Sequence, residues 1–305
     1  MIVIYHFNIV FFEGNQNILQ KFNFLASGVD IFFIISGFLM FVGIEKRKYT
    51  FKSFLFARLN KIIPIYFAVT ITLFLFDNFF NILPNRDLML NDLIRSLTFT
   101  NIFIENKEAI HIIGWTLEYE FIFYLLVALA ILFRFNIRKS LIFITSSILF
   151  LCVSLPNDHI LKNFYFMEFL FGALAFFIIK YELYKKVKFV VTFLLSCGIL
   201  FYIFYGRYTF LEGRFIFWGI PMLVIFLISF LINQKYPIKN LPNNLSYELY
   251  IYHLLVIKVI EKIGFMNDFT YIFNLSLTLF TTFLISYISN ISENNLKKFF
   301  SSLLA

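Results

Sequence analysis

A few polar groups stand in a chain that is otherwise apolar, and they fall into four clusters. His6 lies within MIVIYHFNIVFF, residues 1–12. Imidazole has a free pKa of about 6.5, which suits general-base work near neutral pH. A hydrogen-bonded structural histidine is the alternative reading of the same residue. Arg58 and Lys61 sit one helical turn apart in FLFARLNKIIPIYF, residues 54–67. Two cations so placed suit the phosphates of a cofactor, although simple anchoring of a span at the cytoplasmic face would select the same residues. Thr116, Glu120 and Tyr124 share one helix face in GWTLEYEFIFYLL, residues 114–126, while Glu118 points elsewhere. Ser246, Tyr250 and His253 share a face in NLSYELYIYHLLV, residues 244–256. Glu120 can orient an imidazole or accept a sugar hydroxyl; Tyr250 and His253 can contact substrate or anchor a helix at the interface.

Asp30 is the one charge in FLASGVDIFFIISGFLMFVGI, residues 24–44. A carboxylate inside a span costs about 2.5–3.5 kcal/mol on insertion scales, so it is expected to face protein or water. Asp30, Phe33, Ile34 and Gly37 share a face, with Gly28 and Ser36 nearby, and such small residues admit a close neighbour. Glu168 starts another apolar stretch beside a Gly/Ala face. His111 and His159 fall in loops and carry no signal of their own. Cys152 and Cys197 lie in separate apolar segments and form neither a disulfide framework nor a zinc spacing. The chain shows no glycine-rich phosphate loop, no metal-ligand cluster and no nucleophile elbow, so no metal is expected.

The elements that must carry these residues are membrane helices. Of 305 residues, 60% are hydrophobic and 14% charged, and the mean hydropathy is +0.82; soluble domains carry about 25% charge. A span needs roughly 20 apolar residues to cover about 30 Å. Apolar segments recur near 24–44, 62–76, 115–133, 141–155, 164–179, 189–205, 215–232, 246–260 and 270–289. Residues 1–12 are too short to cross and lack the marks of a signal peptide; they are expected to be the second half of a first helix that begins upstream. The spacing thus predicts an all-α polytopic bundle of about ten transmembrane helices, the first incomplete, as one domain over 1–305. The loop 77–114 is the longest, and 93–104 within it is expected to form a short surface or re-entrant helix. With both termini cytoplasmic, Lys and Arg favour the inside loops by about two to one. The net charge of +8 therefore reflects orientation, and nucleic acid is not an expected partner.

Taken in order, these pieces resemble the membrane acyltransferase-3 family, polytopic O-acetyltransferases of bacterial surface sugars. The resemblance rests on YHF at 5–7, GVDIFFIISGFLM at 28–40, ARLNKIIPIYF at 57–67, WTLEYEFIFY at 115–124, EFLFGALAF at 168–176 and LSYELYIYH at 245–253. It implies a bacterial inner-membrane enzyme that moves an acyl group, acetyl foremost, from acetyl-CoA or another acyl-CoA to a hydroxyl of a cell-envelope glycan or its lipid-linked precursor. It implies His6 as the catalytic histidine, with Asp30 and Glu120 beside it, Arg58 and Lys61 holding the CoA phosphates, and Trp115, Tyr124, Tyr250 and His253 contacting substrate. The chain departs from the family pattern in four places, the least weighty being Phe121, which follows Glu120 where the family has a second glutamate after Trp115. An arginine expected ten residues before the histidine would lie upstream of Met1. Ala57 stands in the family's double-arginine motif before Arg58. Lys61 replaces an arginine, a point charge in place of a planar fork.

A transporter of a glycan or lipid precursor without bond chemistry is the competing expectation, with His6, Asp30 and Glu120 as a proton or substrate path. The absence of a convincing internal repeat speaks against it.

Overall fold

The computed structural model describes residues 1–12, 15, 19, 23–83, 86–101, 108–154, 165–186, 215–237, 245–263 and 271–303. Every regular element among them is helical. In chain order these are α1 (Ile2–Phe11), a 3-10 segment (Asn23–Ser27), α2 (Gly28–Glu45), α3 (Phe51–Phe80), α4 (Leu90–Thr98), α5 (Gly114–Leu132), α6 (Ile137–Ser154), α7 (Tyr165–Lys180), the single turn α8 (Leu183–Lys186), a π-helical turn (Phe215–Gly219) running into α9 (Ile220–Lys235), α10 (Leu245–Lys262) and α11 (Tyr271–Leu303).

Six of these stretches are long and apolar enough to cross a membrane: Asn23–Glu45, Phe51–Phe80, Gly114–Leu132, Ile137–Ser154, Phe217–Lys235 and Tyr271–Ile291. The all-α polytopic expectation holds. The figure of ten does not follow from these helices, because three expected spans are short or polar. α1 has 10 residues, α7 has 16, and α10 carries Glu248, Lys258, Glu261 and Lys262. The segment expected at 189–205 lies outside the described residues, as do His159 and Cys197.

Local chemistry sets several boundaries. α3 opens on Thr50, whose Oγ1 accepts from the Ser53 amide at 3.3 Å while the Ser53 hydroxyl accepts from the Thr50 amide at 2.9 Å. The helix ends at Asn81, where the backbone turns left-handed at φ 48°. It begins eleven residues before the expected span, so Arg58 and Lys61 lie two to three turns inside it rather than ahead of it. The short helix in the long loop spans Leu90–Thr98, slightly earlier than expected, because Phe99 adopts φ 55° and stops it.

The most extensive helix pairing is α2 with α7. It is centred on Gly37 and Gly172. A methyl added to Gly37 would overlap the Phe169 carbonyl, and one added to Gly172 would overlap the Ile34 carbonyl and the Phe38 amide. This is why the small residues sit there: the backbones touch. Aromatic rings close the flank, with Phe33 at 4.6 Å and Phe123 at 4.2 Å from Phe169 between centroids. α10 packs on α11, α1 and α3, and α5 packs on α3.

Candidate active site

α1 and α10 bring two histidines together. His6 Nδ1 lies 2.7 Å from His253 Nε2, and the rings are nearly parallel, 14° apart with centroids at 5.0 Å. His253 Nδ1 lies 2.6 Å from the Tyr250 carbonyl oxygen, one turn earlier on its own helix. Both nitrogens of His253 are thus held within the protein. His6 is half-buried, and among the described residues no group bonds its Nε2.

The tyrosine extends this cluster to α5. Thr116 Oγ1 lies 2.8 Å from the Ile113 carbonyl and 2.8 Å from Tyr250 Oη. A hydroxyl has one proton and the carbonyl only accepts, so Thr116 donates to Ile113 and Tyr250 donates to Thr116. Phe32 stacks on the Tyr250 ring at 5.8 Å.

One helical turn further along α5, about 6 Å in rise, Glu120 is buried. Its Oε1 accepts from the Ser36 hydroxyl at 2.9 Å and from the Tyr124 hydroxyl. Its Oε2 has no partner. The Arg58 guanidinium lies over the rings of Phe54 at 5.5 Å and Tyr124 at 5.7 Å. Its Nε is buried without a hydrogen-bond partner, and no carboxylate pairs with it among the described residues. Arg58 and Lys61 both lie within electrostatic reach of Glu120. A guanidinium fixed on aromatic plates, with no carboxylate in direct ion-pair contact among the described residues, suits an incoming phosphate.

The expected residues therefore separate into linked groups. His6, Tyr250 and His253 form one hydrogen-bonded chain; Glu120 is hydrogen-bonded to Ser36 and Tyr124, with Arg58 over the Tyr124 ring, in the other group; α5 joins them through Thr116. Asp30 is fully buried in the first turn of α2, where a carboxylate faces the positive end of the helix dipole. Trp115 faces a different neighbourhood: it packs on Tyr165 at 4.8 Å and edge-on to Tyr119 at 5.9 Å.

His111, which carried no signal in the sequence, is fully buried here. Its Nε2–H donates to the Ile251 carbonyl of α10 at 3.0 Å, and its ring stacks on Tyr66 at 6.0 Å. Burial pushes its pKa down to about 3, so it is neutral at physiological pH. A contact across 140 positions of sequence leaves no local trace; the one available hint was its place three residues ahead of the GWTLEYE helix. Glu118 also has a definite task. It accepts from the backbone amide and side-chain amide of Asn101, each at 3.1 Å, and so fastens the long loop to α5 just beyond α4.

Residues 1–291 match the acyltransferase domain family. The chain belongs to that family. The acyltransferase domain occupies almost the whole sequence, as the ordered motifs led one to expect. The chain is also 32% identical over 120 residues to the "Exopolysaccharide production protein ExoZ" of Rhizobium meliloti (strain 1021), a match covering 38% of each chain. The matched stretch is thus well under half of that relative's length. No solved structure matches the chain. Among the described residues of this acyltransferase-family chain, no group of three or more His, Cys, Asp and Glu side chains is arranged to hold a metal ion.

Proposed function

We propose that this acyltransferase-family chain transfers an acyl group, acetyl foremost, from acyl-CoA to a hydroxyl of a cell-envelope polysaccharide or of its lipid-linked precursor. It works as a multi-pass protein of the bacterial inner membrane with both termini cytoplasmic. The observation that carries this reading is His6, held through Nδ1 and open at Nε2, in a chain of this family. The glycan acceptor is suggested by the relative's role in exopolysaccharide production.

In this reading the acceptor hydroxyl gives its proton to His6 Nε2 as its oxygen attacks the thioester carbonyl. The carbon–sulfur bond breaks, and the CoA sulfur leaves with the proton returned from Nε2, so the base is restored and no proton is gained or lost. Arg58 and Lys61 hold the donor's phosphates. The bare Oε2 of Glu120 accepts from the acceptor sugar and fixes its approach. Base catalysis supplies about 10²–10⁴-fold; holding two reactants in register inside the bundle must supply most of the remainder.

The test is mass spectrometry of surface glycans from cells carrying wild-type or His6→Ala protein at equal membrane levels. Glycans that are complete but lack acyl groups support the enzyme. Unchanged acylation rejects His6 as the base, and loss of glycan export points to transport without bond chemistry.

A further inference from the structure

We infer that His253 is a positioning residue that holds His6 in the one tautomer able to act as a base at Nε2. The inference rests on His6 being the base of the proposed acyl transfer.

The direction of the hydrogen bonds fixes this. The Tyr250 carbonyl has no proton, so His253 Nδ1, 2.6 Å away, must be its N–H donor. A neutral imidazole has one N–H, so His253 Nε2 then bears a lone pair. Across the 2.7 Å contact this nitrogen can only accept, and His6 Nδ1 must donate. A neutral His6 that is protonated at Nδ1 has its lone pair at Nε2, the nitrogen that no described group bonds. Left alone, a neutral imidazole in a peptide prefers the opposite form, with the proton on Nε2. That form would present a donor to the acceptor hydroxyl and could not remove its proton. The backbone carbonyl of Tyr250 thus selects the protonation of a ring two hydrogen bonds away. When Nε2 takes a proton, the same chain aligns a carbonyl dipole and a lone pair toward the positive ring.

The segment that delivers His253 is fastened from several directions. Tyr247 Oη donates to the Ile62 carbonyl of α3 at 2.9 Å. Tyr250 Oη donates to Thr116 of α5. The Ile251 carbonyl accepts from His111. Tyr252 Oη lies 3.2 Å from Ser289 Oγ of α11. Four anchors within the six residues 247–252 leave little freedom for the ring that must hold His6 in place. The bonds on the ring itself separate this role from substrate contact, the expectation from sequence: a substrate bond to either His253 nitrogen would have to break the one to His6 or the one to the Tyr250 carbonyl.

The full chain in detergent or native membranes, assayed with acetyl-CoA, tests this. His253→Ala is expected to lower kcat by at least about 100-fold and to leave the acetyl-CoA KM within about threefold. His253→Gln, whose amide oxygen can accept from His6 Nδ1–H, is expected to recover at least tenfold of that loss. Nitrogen-15 labelling of histidine gives a readout that packing alone would not move, and only four histidines are present. Wild-type His6 should show a protonated Nδ1 and a bare Nε2, and the alanine variant should show the reverse. A wild-type His6 protonated at Nε2, an unchanged kcat in His253→Ala, or no recovery in His253→Gln would each overturn the inference. The two readings are separable: an active His6→Ala removes the base itself, whereas an inactive His6→Ala beside a fully active His253→Ala removes only the positioning role.

Discussion

Where α2 crosses α7, two glycines let backbone meet backbone under a cover of phenylalanine; where α10 meets α1 and α5, histidine, tyrosine and threonine meet through directed hydrogen bonds. Both are close fits. They differ in what the fit depends on. The glycine crossing depends on volume: Gly37 and Gly172 leave no room for a methyl, and any loss of closeness forfeits dispersion contacts and lets the helices part. The histidine cluster depends on which atom carries which proton, and a variant of equal volume can abolish it. Damage to the first should therefore appear as lost protein, and damage to the second as lost turnover in protein that remains.

The largest effect should come from the crossing. Gly37→Val forces side-chain carbons into the Phe169 backbone, which cannot move as a flexible side chain would. Overpacking costs typically about 1–3 kcal/mol where side chains can yield, and more is expected here. Little folded protein should be recovered from membranes, measured by size-exclusion in detergent. Gly43→Ala on the same helix is the control. The nearest atom to its added methyl is a Tyr49 ring carbon at 3.7 Å, an ordinary contact, and alanine favours a helix by about 1 kcal/mol over glycine. A Gly43→Ala protein as unstable as Gly37→Val would show that glycine is needed along α2 for some reason other than the crossing.

A smaller and purely chemical effect is expected at Glu120. Gln at this position keeps an oxygen for the Ser36 and Tyr124 hydroxyls, which both donate to Oε1. What changes is the second atom, Oε2, which becomes an NH₂ and can no longer accept. Glu120→Gln should therefore leave thermal stability near wild type and lower kcat/KM for the acceptor by roughly 10- to 100-fold, equivalent to about 1.4–2.7 kcal/mol. Equal losses of stability and activity would make Glu120 a structural residue.

The two regions also differ in how far sequence alone disclosed them. The helical class, the charge-poor spans and the faces 116/120/124 and 250/253 follow from periodicity, because helix geometry is local. Gly37 and Gly172 were legible as small residues on apolar faces, but nothing in either segment named the other as its partner. The histidine cluster is legible in parts: His6 reads as a mid-span candidate base and His253 as a substrate contact or interfacial anchor, yet their pairing spans 247 positions. His111 carries no signal in the sequence because a loop position is ordinarily solvated, and only the folding of the 108–113 stretch onto α10 puts it inside. Local pattern identifies which residues are costly to place in an apolar bundle. It does not say which of them meet.

His111 sharpens the contrast last and least. It is neutral when folded, with a pKa pushed down to about 3 by burial, against about 6.5 in an unfolded chain. Between these values the unfolded state binds the extra proton and the folded state does not, so stability rises with pH across that window. His111's contribution is complete above about pH 6.5 and is lost progressively as the pH falls toward 3, by at most about 1.4 kcal/mol for each unit. Melting in detergent should therefore fall between pH 7.5 and 5, and His111→Gln should flatten that slope, since an amide does not titrate there. Gln can still donate to the Ile251 carbonyl, so its melting temperature at pH 7.5 should stay within a few degrees of wild type. A slope identical in both proteins would mean that His111 is reached by water and protonates freely in the folded state, and that the loop it anchors lies less firmly on α10 than the rest of the histidine cluster.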